Sequence, residues 1–210
     1  MFKMYLCIYL FVFCGFINAQ NDSLFNNKVE IKFNIPAALA MIPNIGIEVR
    51  LSDKFGYQLD TSAVSYDNME GSPFHTTQIF NEIRYYPKLK NGQNQRSFFI
   101  GSHWGYGMFS LRIPKFITTI IDTELKEEGS YQSGRNTYYG ISIGKKIPLK
   151  SKKFSLELFV GGGSSQSYYK YYNKNDNRVY ENPDIKRNFN NSGEELIYRG
   201  GVMLTYKLSK

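Results

Sequence analysis

Apolar and polar residues alternate singly along most of the chain, a period of two that belongs to strands with one apolar and one polar face. Val29, Ile31, Phe33 and Ile35 interleave with Lys28, Glu30, Lys32 and Asn34. Ile45, Ile47, Val49 and Leu51 interleave with Gly46, Glu48 and Arg50, and Ser52-Asp53-Lys54 supplies a tight turn into Phe55, Tyr57, Leu59 and Ala63. The pattern recurs over Thr76 to Tyr86, Phe98 to Met108, Thr137 to Ile147, Phe154 toward Tyr168, and Leu196 to Leu208. Asn81 alone falls among the apolar positions of its segment. The spacing predicts an all-β chain of about eight strands, each near the length that a tilted strand needs to cross a bilayer.

Connection lengths add a second signal. Ser52 to Lys54, Pro87 to Arg96 and Lys150 to Lys153 are the shorter, basic links. Pro36 to Pro43 is also brief, whereas Ser65 to His75, Ser110 to Asn136 and Asn173 to Gly193 are longer. Such alternation fits an eight-stranded antiparallel up-and-down transmembrane β-barrel with short periplasmic turns and longer outer loops.

The first twenty residues break the alternation. Lys3, an apolar run from Leu6 to Phe16, and Ile17-Asn18-Ala19 ahead of Gln20 have the build of a secretory signal. Cleavage after Ala19 is expected, dividing the chain into a signal peptide, 1–19, and a barrel domain, 20–210. Cys7 and Cys14 leave with that segment, which excludes disulfides and thiol chemistry from the remainder. The formal charge falls from +8 to +7 on loss of Lys3. A basic chain in an exported compartment meets lipid phosphates and glycans first, so no nucleic-acid partner is expected.

Alternation alone is symmetric, because a lipocalin-like soluble barrel turns its apolar face inward. The composition of the polar face breaks the tie. It is rich in glycine, at Gly46, Gly56, Gly101, Gly105, Gly107, Gly144, Gly161 and Gly201, as a crowded lumen requires. Its charges balance, with Lys28, Lys32, Arg50, Arg84 and Arg199 against Glu30, Glu48, Asp60, Glu82 and Glu157. Buried charges persist only when paired, so Glu48, Arg50, Glu82, Arg84, Glu157 and Arg199 are expected to form a lumen charge network. Tyr57, Tyr85, Tyr106, Tyr139, Tyr168, Tyr198 and Tyr206 stand near the ends of the apolar face, like the aromatic girdles of a lipid-facing surface.

Four stretches carry a family likeness: Pro43-Asn44-Ile45-Gly46-Ile47-Glu48, Glu82-Ile83-Arg84-Tyr85-Tyr86, Phe98-Phe99-Ile100-Gly101-Ser102-His103 and Phe154-Ser155-Leu156-Glu157-Leu158. With them the chain resembles the small outer-membrane barrels of the OmpX and OmpA type, most closely an uncharacterised outer-membrane barrel family of Gram-negative bacteria. The resemblance implies residence in the cell outer membrane among outer-membrane lipid and lipopolysaccharide. It also implies delivery by the barrel-insertion machinery. Such barrels usually finish on an aromatic residue, whereas here Leu208-Ser209-Lys210 follows Tyr206.

Catalytic signals are sparse. Only His75 and His103 are present, and Ser102 beside His103 points to the opposite face of a strand. His75, with Thr76 and Thr77 near the outer rim, is the one candidate base for a lipid A-modifying activity, but no positioned nucleophile or orienting carboxylate accompanies it. The expectation is therefore no enzyme, no catalytic residue, no metal and no cofactor. Gly161-Gly162-Gly163-Ser164-Ser165 lacks the Lys of a phosphate loop and reads as strand. Tyr168, Tyr169, Tyr171 and Tyr172, followed by an Asn-rich stretch, are candidate contacts for an extracellular protein or glycan. Phe116 and Ile117, in an apolar run inside the longest early loop, are further candidate loop-binding residues; the run is expected to fold over the barrel mouth, with extension of the fifth strand and an adhesive edge as the other readings. Two functional alternatives stay open beside a structural or surface-binding barrel: the lipid A-modifying enzyme and the secreted lipocalin-like barrel.

The basic excess gathers at the short turns, around Lys88, Lys90 and Arg96 and around Lys145, Lys146, Lys150, Lys152 and Lys153. This orientation puts Lys150 to Lys153 in the periplasm and Ser110 to Asn136 and Asn173 to Gly193 outside the cell.

Overall fold

The computed structural model describes residues 29–67, 73–87, 98–112, 130–151, 153–173, 175–180 and 189–208. Its elements are β1 (Val29–Asn34), α1 (Ile35–Leu39), β2 (Asn44–Arg50), β3 (Phe55–Asp67), β4 (Pro73–Tyr85), β5 (Phe98–Leu111), β6 (Tyr131–Pro148), β7 (Phe154–Tyr172), β8 (Arg178–Val179) and β9 (Asn190–Leu208). From β1 to β7 each strand pairs antiparallel with the next, and β9 pairs with both β7 and β1. Eight strands therefore close into a barrel, and closure leaves none of their long edges unpaired. The two-residue β8 only borders the end of β7.

The predicted turn at Ser52 is tight because its hydroxyl accepts from the Lys54 and Phe55 amides while Leu51 and Ser52 donate to the Phe55 carbonyl. Val29 faces Leu208, so β1 begins and β9 ends on the short-turn side. Ile35, read as strand from its parity, instead opens α1. Pro36 has no amide to donate to a ladder, and the Asn34 side chain caps the helix by accepting from Ala37.

The strands outrun their sequence estimates on the longer-loop side. Ser110 pairs with Ser133 and Leu111 with Gln132, so both flanks of the longest early link are strand. Phe116 and Ile117 lie outside the described residues.

The alternation resolves into an outer apolar wall and a polar interior. Ile31, Ile45, Ile47, Ile79, Ile83, Ile100, Ile143 and Leu158 are exposed, whereas Lys32, Glu48, Gln58, Glu82, Arg84 and Glu157 are buried. Asn81 stays on the outer wall, where it accepts from the Tyr57 hydroxyl. Inside, large side chains sit opposite glycine: Phe80 faces Gly105 and Phe99 faces Gly144. A Cβ at Gly105 would come 2.5 Å from the Phe80 ring, so the narrow interior is filled by pairing large with absent side chains.

One register shift breaks the parity. Gly161 faces Arg199 but Gly162 faces Ile197, which leaves Tyr198 as an extra residue in β9. Tyr198 consequently turns inward beside Arg199, its ring 4.9 Å from that of Tyr138, and leaves the outer tyrosines predicted for the lipid-facing wall. Nearby, Gly163 adopts φ +150, and a side chain there would collide with the Tyr139 carbonyl. The glycine run thus lets β6, β7 and the bulged β9 approach closely.

Candidate functional site

Five inward positions on four strands converge in the short-turn half of the barrel. On β1 and β2, Lys32 and Glu48 are held by parity with Asn34 and Gly46; on β4, Glu82 and Arg84 occupy successive inward sites; Glu157 projects from β7. Lys32 Nζ lies 2.6 Å from both Glu48 and Glu157. Arg84 reaches Glu82 at 2.9 Å, Glu157 at 2.7 Å and Glu48 at 3.1 Å. The guanidinium carbon also sits 3.9 Å from the centre of the Phe99 ring, so one face stacks while the edges donate. Ser142 donates to Glu82 at 2.7 Å, and the Tyr86 hydroxyl donates to Glu48.

Arg199 extends the network upward. It bridges Asp60 at 2.7 Å and Glu82 at 2.9 Å, and Gln58 donates to the same Asp60 carboxylate at 2.9 Å. Above it the interior turns aromatic, with Phe80, Tyr138 and Tyr198 in mutual ring contact. His103 shares a 2.7 Å hydrogen bond with the Tyr198 hydroxyl and so is engaged inside the barrel, while Ser102 is exposed on the outer wall.

Of the six residues predicted for the network, Glu48, Glu82, Arg84, Glu157 and Arg199 come together. Arg50, at the end of β2, makes no ion pair with any described residue. Lys28 lies outside the described residues. The missing cation is Lys146, which sequence reading assigned to a basic turn. Because β6 runs on to Pro148, Lys146 keeps the inward parity of Ser142 and Gly144. It pairs with Glu30 at 2.6 Å and Glu48 at 2.9 Å. Lys145, its neighbour, points outward and is exposed. Four cations thus meet five carboxylates, and the strand parity of Ser142 and Gly144 was the signal that would have revealed the fourth.

Such an arrangement neutralises and occludes. Each of these nine charges has at least one opposite partner, which offsets much of its desolvation cost, and the side chains span the lumen from β1 and β2 to β4 and β7.

The tyrosine run lies within β7 and is split by parity. Tyr169 and Tyr171 face the interior side, with Tyr171 buried, whereas Tyr168 is exposed on the outer wall beside Tyr172. His75 is also on the outer wall, 3.5 Å from the Asp67 carboxylate.

No curated protein and no solved structure matches the chain. A family model spanning residues 5–195, nearly the whole sequence, does match, and the chain belongs to the family described as Protein of unknown function (DUF3575).

Proposed function

We propose that this chain is an outer-membrane barrel of the small OmpX and OmpA type, closed by its charged interior and acting as a structural or surface-binding protein through its longer-loop end. The observation that carries the reading is the inverted polarity, an exposed aliphatic wall around an ion-paired interior. In water, a continuous wall of this kind would be an aggregation surface. On β6 the wall runs from Ile147 to Tyr139, about 27 Å of strand and about 21 Å when tilted by ~40°, close to the ~25 Å band of outer-membrane barrels. Aromatics mark both limits. Phe55 contacts Tyr85 and Phe154 contacts Tyr206 at the short-turn limit, and Trp104 faces Tyr139 at the other. Lys145, inside this span, has a long enough stem to carry its ammonium toward the short-turn interface.

On this reading the partners are outer-membrane lipid and lipopolysaccharide, the insertion machinery during biogenesis, and an extracellular protein or glycan at the loops. Membrane fractionation and gel mobility before and after boiling test it: a membrane-bound band that shifts on boiling is expected, and full recovery in the soluble fraction overturns it. No steady single-channel conductance is expected from the purified protein. An epitope at Asn177 should be labelled on intact cells and one at Ser151 should not, and the reverse would invert the orientation.

One observation favours a second reading, lipid hydrolysis on the outer wall. Asp67 stands beside His75, and Ser110 is the cross-strand neighbour of His75. Ser110 instead shares a 2.6 Å hydrogen bond with Ser133. Mass spectrometry of lipid A from a deletion strain separates the readings, because only the hydrolase leaves a changed acyl pattern.

A further inference from the structure

Two consecutive rows of side chains cross the outer wall just beyond the Trp104 and Tyr139 limit. Thr77, Met108, Arg135 and Tyr168 form one row, and His75, Ser110, Ser133 and Lys170 form the next. All have outward parity, and together with Phe189 they line a groove of about 510 Å³. Arg135 and Lys170 are diagonal cross-strand neighbours, a relation that places such positions ~7 to 8 Å apart, within reach of one another's long side chains.

These two cations differ from those inside the barrel. Among the described residues neither faces a carboxylate. Arg135 lies 5.6 Å from the centre of the Tyr168 ring and Lys170 lies 4.7 Å from that of Phe189. The ring faces attract the charged heads without accepting along their N–H directions, and among the described residues no acceptor takes those N–H groups. The Ser110 and Ser133 hydroxyls, bonded to each other, add oxygen partners between His75 and Lys170. Among the described residues the acid nearest this group is Asp67, and it pairs with His75 at 3.5 Å.

Below the groove the wall is first mixed, with Thr137 and Gln166 beside Tyr106 and Ser164 beside Tyr139, and then apolar on β6 from Ile141. Tyr106 and Met108 lead down to Ile141, which is 66% exposed because its cross-strand neighbours are only Ser102 and Gly162. A basic, hydroxyl-rich pocket that stands, across two mixed rows, above a thinly covered apolar strip is complementary to a phosphate attached to acyl chains. It matches neither a free anion, which has no use for the strip, nor a neutral lipid, which has no use for the cations.

We propose that this groove binds the phosphorylated headgroup of an outer-leaflet lipid, with Arg135 and Lys170 on the phosphate, Ser110 and Ser133 on neighbouring oxygens, and the acyl chains along Ile141. The assignment rests on the membrane-barrel reading and adds a defined lipid site to it. The site uses outward-facing side chains, Arg135 exposed and Ser110, Ser133 and Lys170 half-buried, whose side chains take no part in the strand pairing that closes the barrel, so its loss should leave the barrel intact.

The test uses the full mature chain in phosphatidylcholine nanodiscs doped with lipid A or with its dephosphorylated form, and measures co-retained lipid by native mass spectrometry. The wild type should retain the phosphorylated form selectively. Arg135→Gln with Lys170→Gln should lower that retention on the order of tenfold, as for loss of charge-assisted hydrogen bonds at a wet surface. Lys145→Gln should not change it. Equal retention by wild type and double variant, or equal retention of the two lipids by the wild type, overturns the site. Full competition by inorganic phosphate at a concentration equal to the lipid overturns the lipid assignment, since the anion alone would then suffice. The boiling-dependent gel shift is recorded on the same samples: a variant that keeps it but loses lipid supports the site, and a wild type that lacks it fails the barrel reading instead.

Discussion

Inside the barrel, Lys32, Arg84, Lys146 and Arg199 touch carboxylates, whereas on the outer wall Arg135 and Lys170 meet ring faces. The residue types are the same and the strands partly so, since β6 carries both Lys146 and Arg135. What differs is the cost of leaving the charge alone. A lysine sealed in the lumen cannot be hydrated, so its partners must come from the protein. A cation on the open wall keeps its water and can exchange it for a ligand. These six cations therefore sort by access to solvent and by strand parity, whereas Arg50, at the end of β2, keeps the inward parity without an ion pair among the described residues.

The comparison breaks most visibly at Arg84. Arg84→Ala strands Glu48, Glu82 and Glu157 with one cation fewer, and should lower stability by about 3 to 5 kcal/mol, read as a drop in the midpoint of denaturant unfolding. That figure is the penalty of an orphaned charge, because a pair replaced whole by fitted apolar groups loses far less. An unchanged midpoint would mean that water reaches the network.

Lys146 offers a sharper contrast with its own neighbour. Lys146→Ala should cost about 3 kcal/mol through Glu48 and Glu30, while Lys145→Ala should stay within about 0.5 kcal/mol. Equal effects from the two would contradict the inward parity of Lys146.

Interior crowding is probed by Gly105→Ala. The added methyl meets the Phe80 ring and should destabilise by about 1 to 3 kcal/mol in the same unfolding measurement. Tyr198→Phe removes the hydrogen bond to His103 and should cost about 1 kcal/mol. A null result there would leave the ring contacts as the whole reason for the bulge. The smallest change is expected from Arg135→Gln, within about 0.5 kcal/mol, because its charge is exposed on the wall. A larger loss would place Arg135 in the folding network.

Much of this is legible in the order of residues. Period-two alternation depends only on the order of residues, because successive side chains on a strand point to opposite faces. It predicted about eight strands and the shared face of Glu48, Arg84 and Glu157, while the connection lengths supplied the up-and-down order. The balance of charge on that face pointed to a paired interior without naming the pairs.

Tertiary structure decided three things. It set where each strand ends, and so moved Lys146 from turn to lumen and Ser110 from loop to wall. It set the register between β7 and β9, and that single extra residue turned Tyr198 inward against its parity. It also chose the partners: Lys32 meets Glu157 across 125 residues of chain, and Arg135 meets no acid among the described residues. Alternation is local, fixed by each residue's own backbone, and is written in the sequence. Register, strand ends and ion-pair partners depend on how distant strands fit around a closed ring, and no segment carries that information alone.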